Sequence, residues 1–264
     1  MKRIESRNNP TIKSICKLSS RKEREQQRLF YFEGVHLLEE YLRSGKIPQC
    51  VFVREDVSKK YEELLSSVKC DIYEVTDSVY EKLSDEKAPQ GIFTVSRFLD
   101  NVFELDDKNV SDIKGNSIMP IDLQDNGNIG TIIRTAAALD SDVLLCGSCA
   151  DVYSSKTVRA TMGALFTGRV FVSKDVFASI ALLQKNGKRV IATALTDKAE
   201  VLGNFNVLKD DCFAVGNEGN GLSDDVISKC DFTCIIPMSG KTESLNAAIA
   251  SAMLLWEARR GNMC

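Results

Sequence analysis

The chain has 264 residues, 44% hydrophobic and 27% charged, which excludes a disordered or collagen-like protein and predicts one or two folded domains. Its longest near-apolar stretch, residues 245–258, contains three polar side chains and is too short to span a bilayer. A net charge of −3 argues against a general nucleic-acid binder, but residues 1–28 carry +6 and the remaining 236 residues −9.

The first predicted element is a polar, basic helix over residues 9–28. Its charge indicates either a surface that binds RNA or DNA or an ordinary solvated helix face, and charge alone does not decide between them. The segment has no apolar core of the kind found in signal peptides. We therefore expect a cytoplasmic protein.

Residues 29–97 alternate short apolar runs with amphipathic stretches, which predicts a small α/β domain. Strands are expected at 29–32, 51–53, 72–75 and 92–95, and helices at 35–43, 58–69 and 77–83. Asp77 is expected to cap the last of these helices. Residues 98–115 are acidic and weakly periodic, which is typical of a linker.

From residue 116 onward, strands and helices alternate more regularly. Strands are expected at 117–123, 143–146, 190–195, 212–215 and 232–236, and helices at 129–139, 155–162, 176–184, 223–228 and 244–258. Near-continuous apolar strands that alternate with helices predict a mostly parallel sheet covered on both faces. The last helix is expected to begin at an N-cap, Ser244, and to stop at Gly261.

The composition also restricts the chemistry. His36 is the only histidine and lies among apolar neighbours, so triads and His-rich metal sites would depend on that residue alone. Nine cysteines without a secretion signal predict free thiols. Cys146 and Cys149 have CxxC spacing, and Cys230 with Cys234 could be the other half of a zinc site. Because Cys146 ends an apolar run, a buried strand-end cysteine is the better interpretation, and we expect no metal.

Three loops that follow predicted strands are rich in Gly, Asn and Ser. They cover residues 124–130, 216–223 and 237–246, at the carboxyl ends of strands, where open α/β sheets bind ligands. The second loop has GxxGxG spacing rather than the GxGxxG of a dinucleotide fold. Gly240-Lys241-Thr242 resembles the end of a Walker A loop but lacks the glycine five residues earlier, since position 235 is Ile.

Glycine-rich loops allow backbone N–H and C=O groups to approach a flat ligand such as an adenine closely. Ordinary turns with helix caps are the alternative interpretation, because Asn-Gly is a common turn and Ser a common cap. Three such loops at successive strand ends favour a ligand site. The polar side chains expected to orient the ligand are Asn128, Arg134, Glu218, Ser244 and Asn246.

These loops resemble the three motifs of the SpoU/TrmH family of RNA ribose 2′-O-methyltransferases, in the SPOUT superfamily. The motifs are Asn128-x-Gly130-x-x-x-Arg134-Thr135-Ala136, then Gly216-Asn217-Glu218-Gly219-x-Gly221-Leu222-Ser223, then Ile236-Pro237-Met238 followed by Glu243-Ser244-Leu245-Asn246. Residues 156–164 resemble the middle helix of the family, and the match covers about residues 117–258. Asn126 departs from the family pattern, which often has Pro there.

The N-terminal part resembles, more weakly, the substrate-binding domain that often precedes this catalytic domain. The residues that carry this resemblance are Asn9-Pro10, Phe32-Glu33-Gly34 and Pro89-Gln90-Gly91. The resemblance implies an N-terminal RNA substrate-binding domain over 1–97, a linker over 98–115, and a SpoU-type methyltransferase domain over 116–264. It also implies that the mostly parallel α/β sheet of the C-terminal domain has the trefoil-knotted SPOUT architecture.

The resemblance further implies S-adenosylmethionine as cofactor, contacted largely through backbone by Gly216, Ile236 and Leu245, and a homodimer. The implied catalytic residues are Asn128, Arg134, Glu218, Ser244 and Asn246, which would transfer a methyl group to a ribose 2′-OH. Arg134 is the base proposed for the family. Because a guanidinium is essentially never deprotonated at neutral pH, orienting a phosphate or stabilising a developing oxyanion suits it better.

By analogy with relatives that carry the added N-terminal domain, ribosomal RNA of the large subunit is the expected substrate. Transfer RNA is the alternative within the same chemistry. A small-molecule methyltransferase and a catalytically silent RNA-binding protein with the same fold are alternatives from other classes. Every expected catalytic position is filled in this chain, which favours the enzyme.

Overall fold

A computed structural model describes residues 1–217, 219–240 and 244–261 and divides the chain into two compact units. The first unit comprises Met1–Leu99 with Asp151–Phe166, and the second comprises Asp100–Ala150 with the residues from Thr167 on. The sequence predicts two continuous domains. It does not assign 151–166 to the first unit, because local periodicity does not report which core a helix packs against.

The first unit contains a five-stranded sheet in the order β1-β4-β3-β5-β2. Strands β1 to β5 comprise Lys2–Ile4, Leu29–Glu33, Cys50–Arg54, Asp71–Val75 and Ile92–Arg97. The first three strands in this order run parallel, and β5 is antiparallel to both of its neighbours. The sequence does not predict β1, because three residues are too few to show a period.

Helices α1 to α5 comprise Pro10–Cys16, Arg21–Gln27, Val35–Arg43, Glu62–Ser66 and Asp77–Leu83. The prediction of one helix over 9–28 is wrong. A 3₁₀ turn, Lys17–Ser19, ends the first helix, and Ser20 is extended (φ −85°, ψ 133°) before α2 begins. Asp77 is the first residue of α5 rather than its cap, since Thr76 holds the N-cap position.

The basic N-terminal segment is part of the core of the first unit. Ile12, Ile15 and Leu18 are buried in one cluster with Phe52 and Val75 of the sheet. Burial of these side chains stabilises α1 against the sheet, since each fully buried aliphatic side chain contributes about 1.5–3 kcal/mol. The segment is therefore folded as part of the first unit.

The second unit contains an eight-stranded sheet in the order β11-β13-β10-β12-β7-β8-β9-β6. Strands β6 to β13 comprise Val102–Glu104, Ser117–Pro120, Asp142–Cys146, Val170–Ser173, Val190–Thr193, Glu200–Val201, Cys212–Val215 and Phe232–Ile235. Every adjacent pair is parallel, which confirms the predicted α/β fold with a mostly parallel sheet. Residues 98–115 are more than a linker, because β6 pairs with β9 at the sheet edge.

Helices α6 to α10 comprise Asn126–Ala138, Ser155–Ala160, Val176–Lys185, Asp224–Lys229 and Ala247–Gly261. α7 lies in the first unit and the other four in the second. The predictions for both ends of the last helix are wrong, because α10 begins three residues after Ser244 and includes Gly261. Among the described residues, no helix combines the length and apolar character needed to cross a membrane.

Candidate active site

The three glycine-rich loops lie at one edge of the parallel sheet. β7 and β12 are neighbours, and only β10 separates β12 from β13. Because these strands run parallel, the loops that follow them emerge at their common carboxyl edge, where α/β proteins bind ligands. The first loop leads into α6 and the third leads into α10, so the edge also carries the N-termini of two helices.

The side chain of Asn246 joins the first and third loops. Its Oδ1 accepts hydrogen bonds from the N–H groups of Ala248 (2.9 Å) and Ile249 (3.2 Å), so Asn246 caps α10. With that oxygen identified as the acceptor, Nδ2 donates to Oδ1 of Asn128 at 3.0 Å. Two predicted site residues, which are 118 positions apart in the chain, are therefore in direct contact.

Asp125 fixes the backbone of Asn128 through a helix-cap hydrogen bond. It is the N-cap of α6, and its Oδ1 accepts a 2.7 Å hydrogen bond from the N–H of Asn128. Asp125 was not predicted as part of the site, although an Asp that accepts a hydrogen bond from the N–H three residues later is a recognised helix-start signal. Arg134 lies further along α6 and is exposed. Its guanidinium has no ion pair or hydrogen bond within the described part of the chain, so it is available to a ligand.

The second loop folds back onto its own start. The carbonyl of Asn217 accepts a 3.0 Å hydrogen bond from the N–H of Gly221, and its Oδ1 accepts from Gly219 (3.0 Å) and Asn220 (2.8 Å). A Cβ atom placed on Gly216 would lie 2.1 Å from the carbonyl carbon of Gly221. Only glycine permits this close approach, and Gly216 is buried against the backbone of Gly221.

The remaining predicted site residues flank the same edge. Ile236 follows β13 directly and is half-buried. Ser244 is exposed and Leu245 is half-buried, immediately before α10. Glu218, which the sequence analysis also assigns to the site, lies outside the described residues, as do positions 241–243.

A further strand-end loop, residues 194–199, belongs to the same edge. It follows β10, which lies between β12 and β13, so it emerges between the second and third glycine-rich loops. The side chain of Leu195 is 66% exposed there, and Thr193 donates a 2.7 Å hydrogen bond to the carbonyl of Ala214 in the neighbouring strand. This loop was not predicted as part of the site, because it contains neither Gly nor Asn. Its position after a parallel strand was the available signal.

The cysteine pair lies at the end of β8 and is not a reactive centre. Cys146 is fully buried at the end of β8, and the Cys149 thiol donates a 3.2 Å hydrogen bond to its carbonyl. Burial raises the pKa of Cys149 to about 11, so the thiol is protonated at neutral pH. Within residues 1–217, 219–240 and 244–261, no group of three or more His, Cys, Asp or Glu side chains could hold a metal ion.

Five of the nine cations in residues 1–28 are free to meet an anionic partner. The other four form ion pairs within the first unit: Lys2, Arg3, Arg21 and Arg24. Arg24 is buried and its guanidinium contacts the carboxylate of Asp151 at 2.6 Å, so it stabilises the fold. The free cations, which have no ion pair among the described residues, are Arg7, Lys13, Lys17, Lys22 and Arg28.

Comparison with known proteins agrees with this geometry. The SpoU rRNA Methylase family matches residues 116–256, and the MRM3-like substrate binding domain matches residues 9–94. The chain is 32% identical over 263 residues to the 23S rRNA (guanosine(2553)-2′-O)-methyltransferase RlmP of Bacillus subtilis (strain 168), covering 98% of this chain and 100% of the relative.

Two further comparisons give the same result. Over 139 residues, 51% of this chain and 48% of the relative, the chain is 35% identical to the 23S rRNA (uridine(2479)-2′-O)-methyltransferase of Streptomyces viridochromogenes. An AdoMet-bound rRNA methyltransferase from Sinorhizobium meliloti superposes with a TM-score of 0.82 at 27% identity, covering 98% of this chain and 97% of that one. The resemblance identified from the motifs is confirmed, and the chain belongs to the SpoU rRNA methylase family.

Proposed function

We propose that this protein transfers a methyl group from S-adenosylmethionine to a ribose 2′-OH of ribosomal RNA, and that the substrate is the RNA of the large subunit. The observation that carries the proposal is the contact between Asn128 and Asn246 beside the folded-back loop at Gly216, at the carboxyl edge of a sheet in a SpoU family chain. The relatives named above are 23S rRNA 2′-O-methyltransferases, which supports the substrate class.

The residues at this edge fit S-adenosylmethionine. Gly216 lets the second loop close tightly on itself, which would shape the backbone of that loop for a flat adenine, and the half-buried Ile236 and Leu245 supply apolar contact from the third loop. These three residues would hold the cofactor. When bound, S-adenosylmethionine supplies an electrophilic methyl group on a sulfonium.

The protein's own contribution is alignment and charge stabilisation. Transfer requires the ribose oxygen to lie in line with the methyl group and the sulfur, and the hydroxyl proton must leave. The free guanidinium of Arg134 would orient a substrate phosphate or stabilise negative charge that develops on the 2′ oxygen. Asn128 and Ser244 would orient the ribose, Asn246 would position Asn128, and Glu218 remains a predicted catalytic residue.

We assign RNA binding to the N-terminal domain, residues 1–97, and methyl transfer to the domain at 116–264, from which 151–166 return to the first unit. Residues 98–115 connect the two domains and add β6 to the second sheet. The match of residues 9–94 to a substrate binding domain supports this assignment, as do the five free cations of residues 1–28. Lys13 and Lys17 are four residues apart at the end of α1, so they lie on one side of the segment and can meet successive phosphates.

We also propose a homodimer with the trefoil-knotted SPOUT architecture, located in the cytoplasm. Ile249, Met253 and Trp256 are 49%, 41% and 54% exposed and share one face of α10, an apolar surface that a second copy would cover. Family membership supports the knot. The eight cysteines of the described residues are all free thiols, which supports a reducing compartment.

Labelled methyl transfer tests the function. S-adenosylmethionine carrying a labelled methyl group is incubated with the full chain and unmodified 23S rRNA, 16S rRNA or tRNA, and calorimetry measures cofactor binding. We expect transfer to 23S rRNA only. Transfer to tRNA alone would establish the alternative substrate, and no cofactor binding would contradict the enzyme function. Transfer without RNA would contradict an RNA substrate.

A second measurement identifies the modified nucleotide. Mapping 2′-O-methyl groups in cells with and without the protein should show the loss of one large-subunit position. Complementation with an Arg134→Ala variant should leave that position unmethylated.

A further inference from the structure

A cavity of about 490 Å³ lies in the first unit, at the edge of the sheet where β2 and β3 begin and β5 ends. Its volume is in the range of small-ligand pockets. It is lined by Gln27, Arg28, Leu29, Gln49, Arg97 and Phe98. None of these six side chains is acidic and two carry a guanidinium group. The cavity therefore suits a ligand that presents hydrogen-bond acceptors or negative charge.

The guanidinium of Arg28 lies over the ring of Phe98 in this cavity, and the two are called the Arg28–Phe98 pair. The guanidinium carbon lies 4.6 Å from the centroid of the phenyl ring, and the N–H of Phe98 donates a 3.0 Å hydrogen bond to the carbonyl of Arg28. The ring itself is held by Tyr153, with centroids 3.9 Å apart and planes 16° from parallel. The pair is therefore fixed through both backbone and side chains before any ligand arrives.

The backbone of Arg28 is in a conformation that favours glycine. Arg28 is the C-cap of α2 with φ 55° and ψ 35°, the left-handed region in which helices usually end at Gly. A non-glycine residue held in this region is strained, and such strain concentrates where a side chain has a function. Glycine would relieve this strain but would remove the guanidinium that lies over Phe98.

The rim of the cavity carries hydrogen-bond donors. Nε of Arg97 donates to Oε1 of Gln49 at 3.1 Å, which orients the Gln49 amide so that its NH₂ group points away from Arg97. Within the described part of the chain, the terminal nitrogens of Arg97 have no partner. Ring nitrogens and carbonyl oxygens of a nucleobase are acceptors that match these donors.

We propose that this cavity binds one unpaired nucleobase of the RNA substrate, stacked against the Arg28–Phe98 pair with its polar edge towards Gln49 and Arg97. The proposal rests on the proposed RNA methyltransferase function and deepens it. Sequence-specific recognition of RNA uses unpaired bases that stack on aromatic rings or guanidinium planes. The site would let the N-terminal domain select a single-stranded loop or bulge rather than a duplex.

Substitution of Arg28 by glycine separates the side chain from the fold. Arg28→Gly removes the guanidinium and relieves the left-handed backbone, so the thermal midpoint should be unchanged or higher. Arg28→Lys keeps the charge but loses the planar group that stacks. Lys59→Ala, which removes an exposed lysine of the same unit outside the cavity, is the matched control.

Binding to the full chain is measured by anisotropy with two fluorescein-labelled probes, a single-stranded 12-nucleotide RNA and an abasic chain of the same length. We expect Arg28→Gly and Arg28→Lys to weaken binding of the base-containing probe about tenfold relative to the abasic probe. Lys59→Ala should leave that ratio unchanged. An equal loss on both probes would show a phosphate contact only and overturn the proposal, as would no loss at all.

Methyl transfer to 23S rRNA, measured on the same preparations, keeps this proposal distinct from the proposed function. No transfer by the wild-type protein would contradict the RNA methyltransferase function. Transfer by the wild type, together with an unchanged KM for RNA in Arg28→Gly, would contradict the nucleobase site alone.

Discussion

The side chain of Asn246 donates a 3.0 Å hydrogen bond to the side chain of Asn128 and so connects the N-termini of α10 and α6. The same residue caps α10 through its oxygen, at 2.9 Å from the N–H of Ala248. One amide therefore sets the start of the last helix and the orientation of a predicted site residue. Local stability and site geometry are coupled at this position.

Two substitutions of Asn246 should separate these roles. Asn246→Ser keeps a good N-cap but is too short to reach Asn128, whereas Asn246→Ala removes both hydrogen bonds. We expect the alanine variant to be less stable than the serine variant by about 1 kcal/mol in urea unfolding. Both should lower kcat for methyl transfer about tenfold, the effect of removing one hydrogen bond. Full activity in Asn246→Ser would show that the contact does not position Asn128.

Arg134→Ala should strongly reduce turnover without affecting the fold. The side chain is exposed and has no partner in the described part of the chain, so the free energy of unfolding should change by no more than about 0.5 kcal/mol. Loss of a charge-stabilising group should lower kcat by about 10²–10³. Cofactor affinity, measured by calorimetry, should stay within about tenfold of wild type. Loss of cofactor binding together with turnover would indicate a structural arginine instead.

Gly216 and Gly219 of the second loop provide a matched pair of alanine substitutions. In Gly216→Ala the new Cβ would lie 2.1 Å from the carbonyl carbon of Gly221, whereas in Gly219→Ala its nearest neighbour would be 3.8 Å away. We expect Gly216→Ala to lower the free energy of unfolding by about 1–3 kcal/mol. It should also weaken S-adenosylmethionine binding, and Gly219→Ala should do neither. Equal cofactor affinity in all three proteins would remove Gly216 from the binding site.

Much of the fold follows from the sequence pattern. The strand at Cys212–Val215 and the helices at Val35–Arg43 and Asp77–Leu83 have the predicted bounds, because apolar runs and helical spacing end at clear polar signals there. The break at Ser20 was not predictable in this way, since the charged residues on both sides continue a helical pattern. Only the packing of Ile12, Ile15 and Leu18 against the sheet determines where the chain must turn.

The candidate site is likewise predictable from the sequence only in part. Motif spacing identified the three loops, but the contact between Asn128 and Asn246 depends on tertiary structure and has no local signature. Ser244 and Asn246 are both good N-cap residues, and the prediction that Ser244 caps the last helix is wrong. In the structure α10 begins at Ala247, where the capping residue can also reach α6.

Charge substitutions on α10 should dissociate the proposed dimer. Ile249→Glu combined with Met253→Glu places two carboxylates on the exposed apolar face, and sedimentation should then give the 29.2 kDa monomer. Phe177→Glu, on a different helix and 47% exposed in the wild type, should leave the dimer intact. Trp256 is the only tryptophan, so its emission should shift to longer wavelength as the dimer dissociates. A monomeric wild type would contradict the assignment.

The basic segment is better tested by substitution than by deletion. Removing residues 1–28 would take away β1 and the buried side chains of Ile12, Ile15 and Leu18, and the first unit would not keep its core. Lys13→Ala with Lys17→Ala should instead reduce the slope of log affinity for RNA against log salt by about 0.7–0.9 for each phosphate that is no longer neutralised. Lys2→Ala is the control, because its ammonium is already paired with Asp71 at 2.8 Å. An unchanged slope in the double variant would mean that the RNA phosphates bind elsewhere.

Residues 151–166 belong to the first unit, although they follow part of the second unit in the chain. A chimaera that exchanges domains between related proteins must take this into account. Phe166 packs on Phe32 and Tyr41, with ring centroids 5.1 Å and 5.0 Å away, and Tyr153 packs on Phe30 at 4.9 Å. A chimaera joined only at residue 99 would separate these rings from their partners and leave an aromatic surface in water. A functional hybrid must therefore carry two grafts, the N-terminal residues and the later segment that completes their core.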